Sequence, residues 1–95
     1  MELQVEAKTR VVNMRNEPYD ICICRPSKWG NPFRIPRDGS REVVISRYRG
    51  WLKNQLSLLA DLHELKGLRL GCVCKPMACH GDVLVEQIEA LDVCG

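Results

Sequence analysis

The residues most capable of chemistry are concentrated in one short stretch, "GCVCKPMACHGD" at positions 71–82, which contains three cysteines, a histidine and an aspartate. Thiolate and imidazole groups serve both as metal ligands and as nucleophiles. The stretch follows a predicted strand and precedes a predicted helix. It could therefore form one of three kinds of site: a zinc centre, a thiol nucleophile or a pocket for an anionic ligand.

A zinc centre is the alternative interpretation of this stretch. Its Cys₃His ligand set would be Cys72, Cys74, Cys79 and His80. One residue separates the first two cysteines, whereas zinc knuckles typically have two to four, and neighbouring Cys79 and His80 side chains diverge. No metal is therefore favoured, and no other cofactor is predicted. Outside such a centre, Cys22, Cys72 and Cys94 are interpreted as small buried hydrophobes.

The predicted catalytic residues are Cys79, His80 and Asp82. Cys74 and Cys79 bracket Lys75 near the predicted start of a helix, an environment that lowers the pKa of a thiol. Cys79 or His80 would act on a ligand, and Asp82 would orient the imidazole or a substrate hydroxyl. Adjacent side chains rarely point at each other, so ligand contact is favoured over covalent catalysis.

A ligand pocket would also use a second segment, "RPSKWGNPFRIPRDG" at 25–39. Between Arg25 and Arg41, five basic residues stand against Asp38 alone, a net charge of +4 in a chain whose total is +2. This excess indicates an anionic partner. Trp29 or Phe33 could stack on a planar base, and N–H groups at the start of the last helix suit a phosphate. The predicted ligand-binding residues are Arg25, Ser27, Lys28, Trp29, Gly30, Asn31, Cys74, Lys75 and Gly81.

The first half of the chain predicts two strands and a helix. Apolar runs at 10–15 and 19–24 are typical of strands, and the turn residues between them predict a hairpin. Ser40 is the predicted N-cap of a helix that continues to about residue 62. Gly50 lies in the middle of this helix and predicts a kink or a close neighbour there.

The second half adds a strand and a helix. Gly67 ends the first helix, residues 68–74 form the third strand, and the last helix starts at about His80 or Gly81. The order β-β-α-β-α predicts a small Rossmann-like α/β domain of two or three layers with at least one parallel strand pair. Residues 10–95 form this domain, and residues 1–9 are an extension. The two segments of interest each follow a strand, so we expect them to meet at one sheet edge.

Size and composition exclude several classes of protein. Ninety-five residues suffice for one domain. No apolar run approaches the roughly 20 residues of a membrane-spanning helix. The N-terminus lacks the apolar region of a secretory signal, which predicts a cytosolic protein whose cysteines are free.

Four blocks of the sequence resemble a known family: "VVNMR", "RPSKWGNPF", "DGSREVVISRYRGWL" and "LRLGCVCKPMACHGDVL". They are similar to blocks of the uncharacterised family called domain of unknown function 4326, from bacteria and their phages. The resemblance runs from about Val11 to Leu91. Family members often have glycine in place of Cys24 and an aromatic residue in place of Val73. If the chain is encoded by a phage, the resemblance implies the host cytoplasm.

The leading hypothesis is a small cytosolic domain that binds a nucleotide-like or other phosphate-bearing ligand at the strand ends, with turnover left open. The alternative is a zinc-stabilised interaction or nucleic-acid-binding module without catalysis; nucleic acid is not favoured. A third interpretation is a phage accessory protein that sequesters a signalling nucleotide. No membrane partner is predicted, and the sequence does not specify the oligomeric state.

Overall fold

The computed structural model describes residues 8–93, so Cys94 and residues 1–7 of the predicted extension lie outside the described residues. The elements in chain order are strand β1 (Arg10–Asn13), strand β2 (Ile21–Cys22), helix α1 (Arg41–Lys53), helix α2 (Leu56–Asp61), a 3₁₀ turn (Leu62–Leu65), strand β3 (Arg69–Cys72) and helix α3 (His80–Val93). The α/β class is confirmed. None of the helices in this described range is long and apolar enough to span a membrane.

The three strands form one parallel sheet in the order β1-β3-β2. Leu70 of the central strand is paired with Val11 on one side and with Ile21 on the other. The predicted parallel pairing is therefore confirmed, and the predicted hairpin is wrong. The segment between β1 and β2 turns after Asn13 and crosses β3, so that β2 starts at the same end of the sheet as β1 but at its opposite edge.

Tyr19 and Asp20 fix this crossing against β3. The Asp20 N–H donates to the Arg69 carbonyl at 2.9 Å, and the Asp20 carboxylate accepts from the backbone and guanidinium of Arg69. The hydrogen bond from this guanidinium lowers the pKa of Asp20 to about 2. Tyr19 lies over Gly71, where a Cβ atom would come within 2.8 Å of Tyr19 Cγ.

The core lies between the helices and the other face of β3. Leu70 and Cys72, which alternate with Gly71 along the strand, are buried in a cluster with residues of α1, α2 and α3. The predicted N-cap is confirmed, because the Ser40 hydroxyl accepts from the Val43 N–H at 3.4 Å. The Val44, Tyr48 and Leu52 side chains are buried along one face of α1.

The predicted single helix over 40–62 is divided in two. Helix α1 ends at Lys53, with Asn54 as its C-cap, and the Asn54 side chain donates to the Gly50 carbonyl at 3.3 Å. Gly50 itself is exposed inside α1, and a Cβ atom added there would meet nothing within 4 Å, so the expected close neighbour is not found. Gly67 has a φ of 79°, as expected for a residue that ends helical structure.

The folded domain begins before Arg10. The Thr9 side chain is buried, and its hydroxyl accepts from the Gly67 N–H at 2.7 Å and donates to the Leu65 carbonyl at 3.4 Å. These bonds join the start of β1 to the segment that precedes β3. Thr9 is therefore part of the domain, although the sequence interpretation places it in the extension.

Gly71 and Gly50 provide a matched test of this packing. The Gly71→Ala change places a methyl group against the stem of the Tyr19 side chain, so we expect a loss of about 1–3 kcal/mol in the free energy of unfolding. The Gly50→Ala change removes backbone freedom within α1 in open space and should add about 0.5–1 kcal/mol. Urea unfolding followed by circular dichroism measures both values. A neutral Gly71→Ala variant would contradict the packing of Tyr19 on β3.

Candidate functional site

The segments that follow β2 and β3 line one cavity of about 320 Å³, which we call the strand-end cavity. Because β2 and β3 are parallel, both segments leave the sheet at the same end, where the strands finish, as expected from the sequence. Helix α1 supplies a third wall. The lining residues are Cys24, Arg25, Asn31, Phe33, Arg34, Ile35, Arg41, Val44, Ile45, Val73, Cys74, Ala78, Cys79 and His80.

Three arginines line the strand-end cavity, and no aspartate or glutamate does. The Arg25 guanidinium donates to the Asn31 carbonyl, and that of Arg41 donates to the Ala78 carbonyl at 3.2 Å. The Arg34 backbone N–H donates to the Asp38 carboxylate at 2.9 Å, and among the described residues the Arg34 guanidinium has no hydrogen-bond partner. Within residues 8–93, none of the three guanidinium groups forms an ion pair. The cavity is therefore a site of concentrated positive charge.

The segment that carries Arg25 and Arg34 is held by buried contacts. The Asn31 side chain donates to the Val44 carbonyl at 3.2 Å and accepts from the Phe33 N–H at 2.9 Å. A Cβ atom on Gly30 would lie 2.9 Å from the backbone nitrogen of Arg25. Gly30 therefore allows the chain to pack on itself, and the amide of Asn31 is already hydrogen-bonded, although both are predicted ligand-binding residues.

Three further predicted ligand-binding residues do not line the strand-end cavity. Trp29 is 1% exposed and belongs to the core, where its carbonyl accepts from the Tyr48 hydroxyl at 2.7 Å. The Ser27 hydroxyl accepts from the Trp29 N–H at 3.2 Å. Lys28 Nζ forms ion pairs with Asp61 at 2.9 Å and Glu64 at 3.5 Å, which raise the pKa of Lys28.

Asp82 organises the start of α3. Its carboxylate accepts from the Cys79 N–H at 3.1 Å and from Lys75 Nζ at 2.6 Å. The carboxylate thus caps the helix and forms an ion pair with Lys75. The predicted role of Asp82 in orienting the imidazole has no hydrogen bond to support it in the described structure. Neither Asp82 nor Lys75 lines the cavity.

The N–H groups at the start of α3 are largely occupied. The Gly81 N–H points at Cys79 Sγ at 3.3 Å, and the Asp82 N–H donates to the Cys79 carbonyl at 3.0 Å. A Cβ atom on Gly81 would lie 2.7 Å from Ile23 Cδ1 and 2.8 Å from Val11 Cγ2. Gly81 therefore lets α3 pack against the sheet, and the anion site expected at the start of this helix stays a prediction.

His80 presents a neutral imidazole to the strand-end cavity. Its Nε2 atom lies 2.8 Å from the Ile23 carbonyl, which can only accept, so Nε2 carries the proton and Nδ1 has the lone pair. Burial lowers the pKa of His80 below 6.5, and the nearby Arg25 charge lowers it further. The Tyr48 ring meets the imidazole edge-on at 5.0 Å.

Two thiols in the lining of the strand-end cavity, Cys24 and Cys79, have raised pKa values. Burial raises the pKa of Cys79 to about 12, and the nearby Cys72 thiol contributes to the shift. Burial and the neighbouring Cys22 raise the pKa of Cys24 to about 11. The expectation of a lowered thiol pKa is therefore wrong for Cys79, because the charge of Lys75 is matched by Asp82 while the thiol is buried. Cys74 is half-buried in the cavity wall.

Three of the four candidate zinc ligands form other contacts. The Cys79 S–H donates to Cys72 Sγ at 3.6 Å, and His80 binds the Ile23 carbonyl through Nε2. In the part of the chain that the structure describes, no three cysteine, histidine, aspartate or glutamate side chains are grouped as metal ligands.

Several lining residues are not identified from the sequence. Arg34 and Arg41 contribute to the positive charge of their segment, and that charge is the signal by which they could be assigned to the site. The apolar lining residues carry no such signal, because exposed positions such as Ile35 and Val73 look like ordinary surface or strand residues. The structure brings together Arg25, Asn31, Cys74, Cys79 and His80 from the predicted set.

Comparisons with known proteins identify the family. The model of a family described as domain of unknown function (DUF4326) matches residues 6–90. An uncharacterized 12.4 kDa protein from the nrdA-td intergenic region of Enterobacteria phage T4 is 38% identical over 87 residues, which cover 86% of this chain and 79% of that protein. An uncharacterized protein of Acanthamoeba polyphaga mimivirus is 34% identical over 74 residues, which cover 70% of this chain and 56% of that protein. No solved structure matches significantly. The resemblance noted in the sequence is confirmed, and the chain belongs to the DUF4326 family.

Proposed function

We propose that the chain binds a phosphate-bearing, nucleotide-like small molecule in the strand-end cavity. The observation that carries the proposal is the presence of Arg25, Arg34 and Arg41 in a lining that contains no carboxylate. Guanidinium groups bind phosphate oxygens through paired, charge-assisted hydrogen bonds. The volume of about 320 Å³ is at the low end of ligand pockets, which favours a ligand the size of a mononucleotide.

The apolar lining supports a ligand with a planar part. Phe33 lines the cavity beside Ile35, Val44 and Ile45, and the Arg47 guanidinium lies 5.6 Å from the centre of the Phe33 ring. Stacking on an aromatic ring and contact with aliphatic side chains favour a base over a simple sugar phosphate. The arginines and the apolar residues thus suit opposite ends of one nucleotide.

The architecture is consistent with this location. We regard the parallel sheet and its helices as a Rossmann-like arrangement, in which ligands bind outside the carboxyl ends of the strands. This analogy supports the place of the site and does not identify the ligand. Free cysteines and a nucleotide ligand also suit the reducing cytosol that the sequence predicts.

We assign any proton transfer at this site to His80. Its Nδ1 atom can accept a proton at neutral pH, because burial keeps the imidazole uncharged. The bond from Nε2 to the Ile23 carbonyl holds the ring in place. Cys79 is a weaker candidate for a catalytic group than the sequence suggests, because a thiol with a pKa of about 12 is almost entirely protonated at neutral pH.

The lowered pKa of His80 predicts an acid-sensitive fold. The unfolded chain binds a proton on this histidine near pH 6.5, whereas the native ring resists protonation until lower pH. The contribution of the neutral His80 ring to the free energy of unfolding is therefore complete above pH 6.5. It is lost as the pH falls through that value towards the pKa of His80 in the native state. Urea unfolding at pH 7 and pH 5 should show this loss, and His80→Gln should reduce it. The exposed His63 supplies the control, because His63→Gln should leave the loss unchanged; equal losses in all three proteins would contradict a neutral, buried His80.

Arg34 provides the cleanest test of ligand binding, because its guanidinium has no hydrogen bond to the rest of the described chain. We expect adenosine 5′-monophosphate to bind and adenosine to bind much more weakly. Arg34→Gln should weaken nucleotide binding by about 10–100-fold, the usual effect of losing a charged hydrogen bond. Isothermal titration calorimetry at low salt measures both ligands.

Arg15→Gln is the matched control for charge, because Arg15 is exposed and does not line the cavity. It should leave the affinity within about twofold of the original value, as expected for a distant surface charge under screening. Equal binding of adenosine and its monophosphate, or equal losses in the two arginine variants, would contradict the proposal. Binding of zinc instead of nucleotide, with unfolding on chelation, would favour the interaction-module alternative.

A further inference from the structure

We propose that Cys72 and Cys79 form a reversible disulfide that controls the shape of the strand-end cavity. The two thiols come from different elements: Cys72 ends β3 and Cys79 immediately precedes α3. Their sulfur atoms lie 3.6 Å apart, with the Cys79 S–H directed at Cys72 Sγ. The pair itself does not depend on the proposed nucleotide function, whereas its effect on ligand affinity does.

The geometry already brings the two sulfurs into contact. A disulfide needs the sulfurs to approach to about 2.05 Å, with Cα atoms about 4.4–6.8 Å apart. The remaining approach is about the length of one covalent bond, in a segment without helix or strand between the two cysteines. Both side chains are nearly buried, at 1% and 2% exposure, and of the two only Cys79 also lines the strand-end cavity.

The oxidant we propose is a low-molecular-weight disulfide, such as oxidised glutathione. Cys79 lines the cavity and is the thiol that such a molecule reaches first. The Cys79 thiolate attacks one sulfur of oxidised glutathione and forms a mixed disulfide with it. The other glutathione leaves as a thiolate and takes up the proton that the Cys79 thiol has lost. The Cys72 thiolate then attacks the Cys79 sulfur and displaces the second glutathione. Two protein thiols are oxidised, one glutathione disulfide is reduced to two thiols, and the protons are balanced.

The new bond would close a ring around residues 73–78, of which Val73, Cys74 and Ala78 line the strand-end cavity. Ala78 belongs to this wall, and its carbonyl accepts from the Arg41 guanidinium. Moving Cys79 towards Cys72 pulls the adjacent Ala78 carbonyl from this position. Oxidation therefore changes the placement of Arg41, and we expect the oxidised protein to bind adenosine 5′-monophosphate at least threefold more weakly.

The disulfide can be mapped without any ligand. The full chain is equilibrated without oxygen in glutathione buffers of increasing oxidised fraction, quenched with acid, and its remaining thiols are alkylated. Cyanogen bromide then cleaves after Met77, between the two cysteines. We expect a loss of two alkylation sites without a glutathione adduct, and two fragments that stay joined until they are reduced.

Cysteine variants identify the bond. Cys72→Ala and Cys79→Ala should each leave the fragments separate, whereas Cys74→Ala and Cys94→Ala should leave them joined. Tandem mass spectrometry of the unsubstituted protein gives the same assignment if a core variant fails to fold. Joined fragments in the Cys72→Ala variant, glutathione adducts alone, or a different pairing would overturn the proposal. If the disulfide is mapped but the nucleotide affinity is unchanged, the proposal that the disulfide controls the cavity is overturned. If neither the reduced nor the oxidised protein binds nucleotide, the proposed function is overturned, whatever the disulfide mapping shows.

Discussion

The parallel pairing of both outer strands with β3 is the constraint on which the rest of the structure depends. Cys22 is in register with Gly71, so the chain leaves β2 beside the end of β3. This pairing brings the arginine-containing segment next to the cysteine-histidine stretch, although the two are far apart in sequence. If β2 were antiparallel to β3, the arginine-containing segment would leave at the opposite end of the strands. It would then share no cavity with the cysteine-histidine stretch.

Packing of the loop explains how Arg25 and Arg34 stay without an ion pair among the described residues. The segment after β2 contains no helix or strand, and its order comes from Trp29 in the core and from the hydrogen-bonded amide of Asn31. Buried polar groups of this kind are costly to leave unsatisfied, so they hold one loop conformation. That conformation places Arg25 and Arg34 beside Arg41 without a nearby carboxylate in the lining. Nucleotide binding would use this unneutralised charge.

Sequence periodicity predicts the elements better than it predicts their contacts. The Ser40 cap and the buried face of α1 follow from local signals, as does the presence of a parallel pair. The hairpin fails because turn residues do not specify which strand is the partner, and the packing of Tyr19 on Gly71 is a long-range contact. For the same reason, the sequence cannot distinguish Trp29, an aromatic residue that fills the core, from Phe33, which lines the cavity.

The proposed function depends on Arg25, Arg34 and Arg41 acting together as one anion-binding wall. The most direct test is a nuclear magnetic resonance titration of the arginine Nε–Hε signals with adenosine 5′-monophosphate. We expect the signals of these three arginines to shift together along one saturable curve, while the Arg15 signal stays in place. Shifts distributed over all exposed arginines, or shifts limited to residues outside the strand-end cavity, would contradict a shared anion-binding wall.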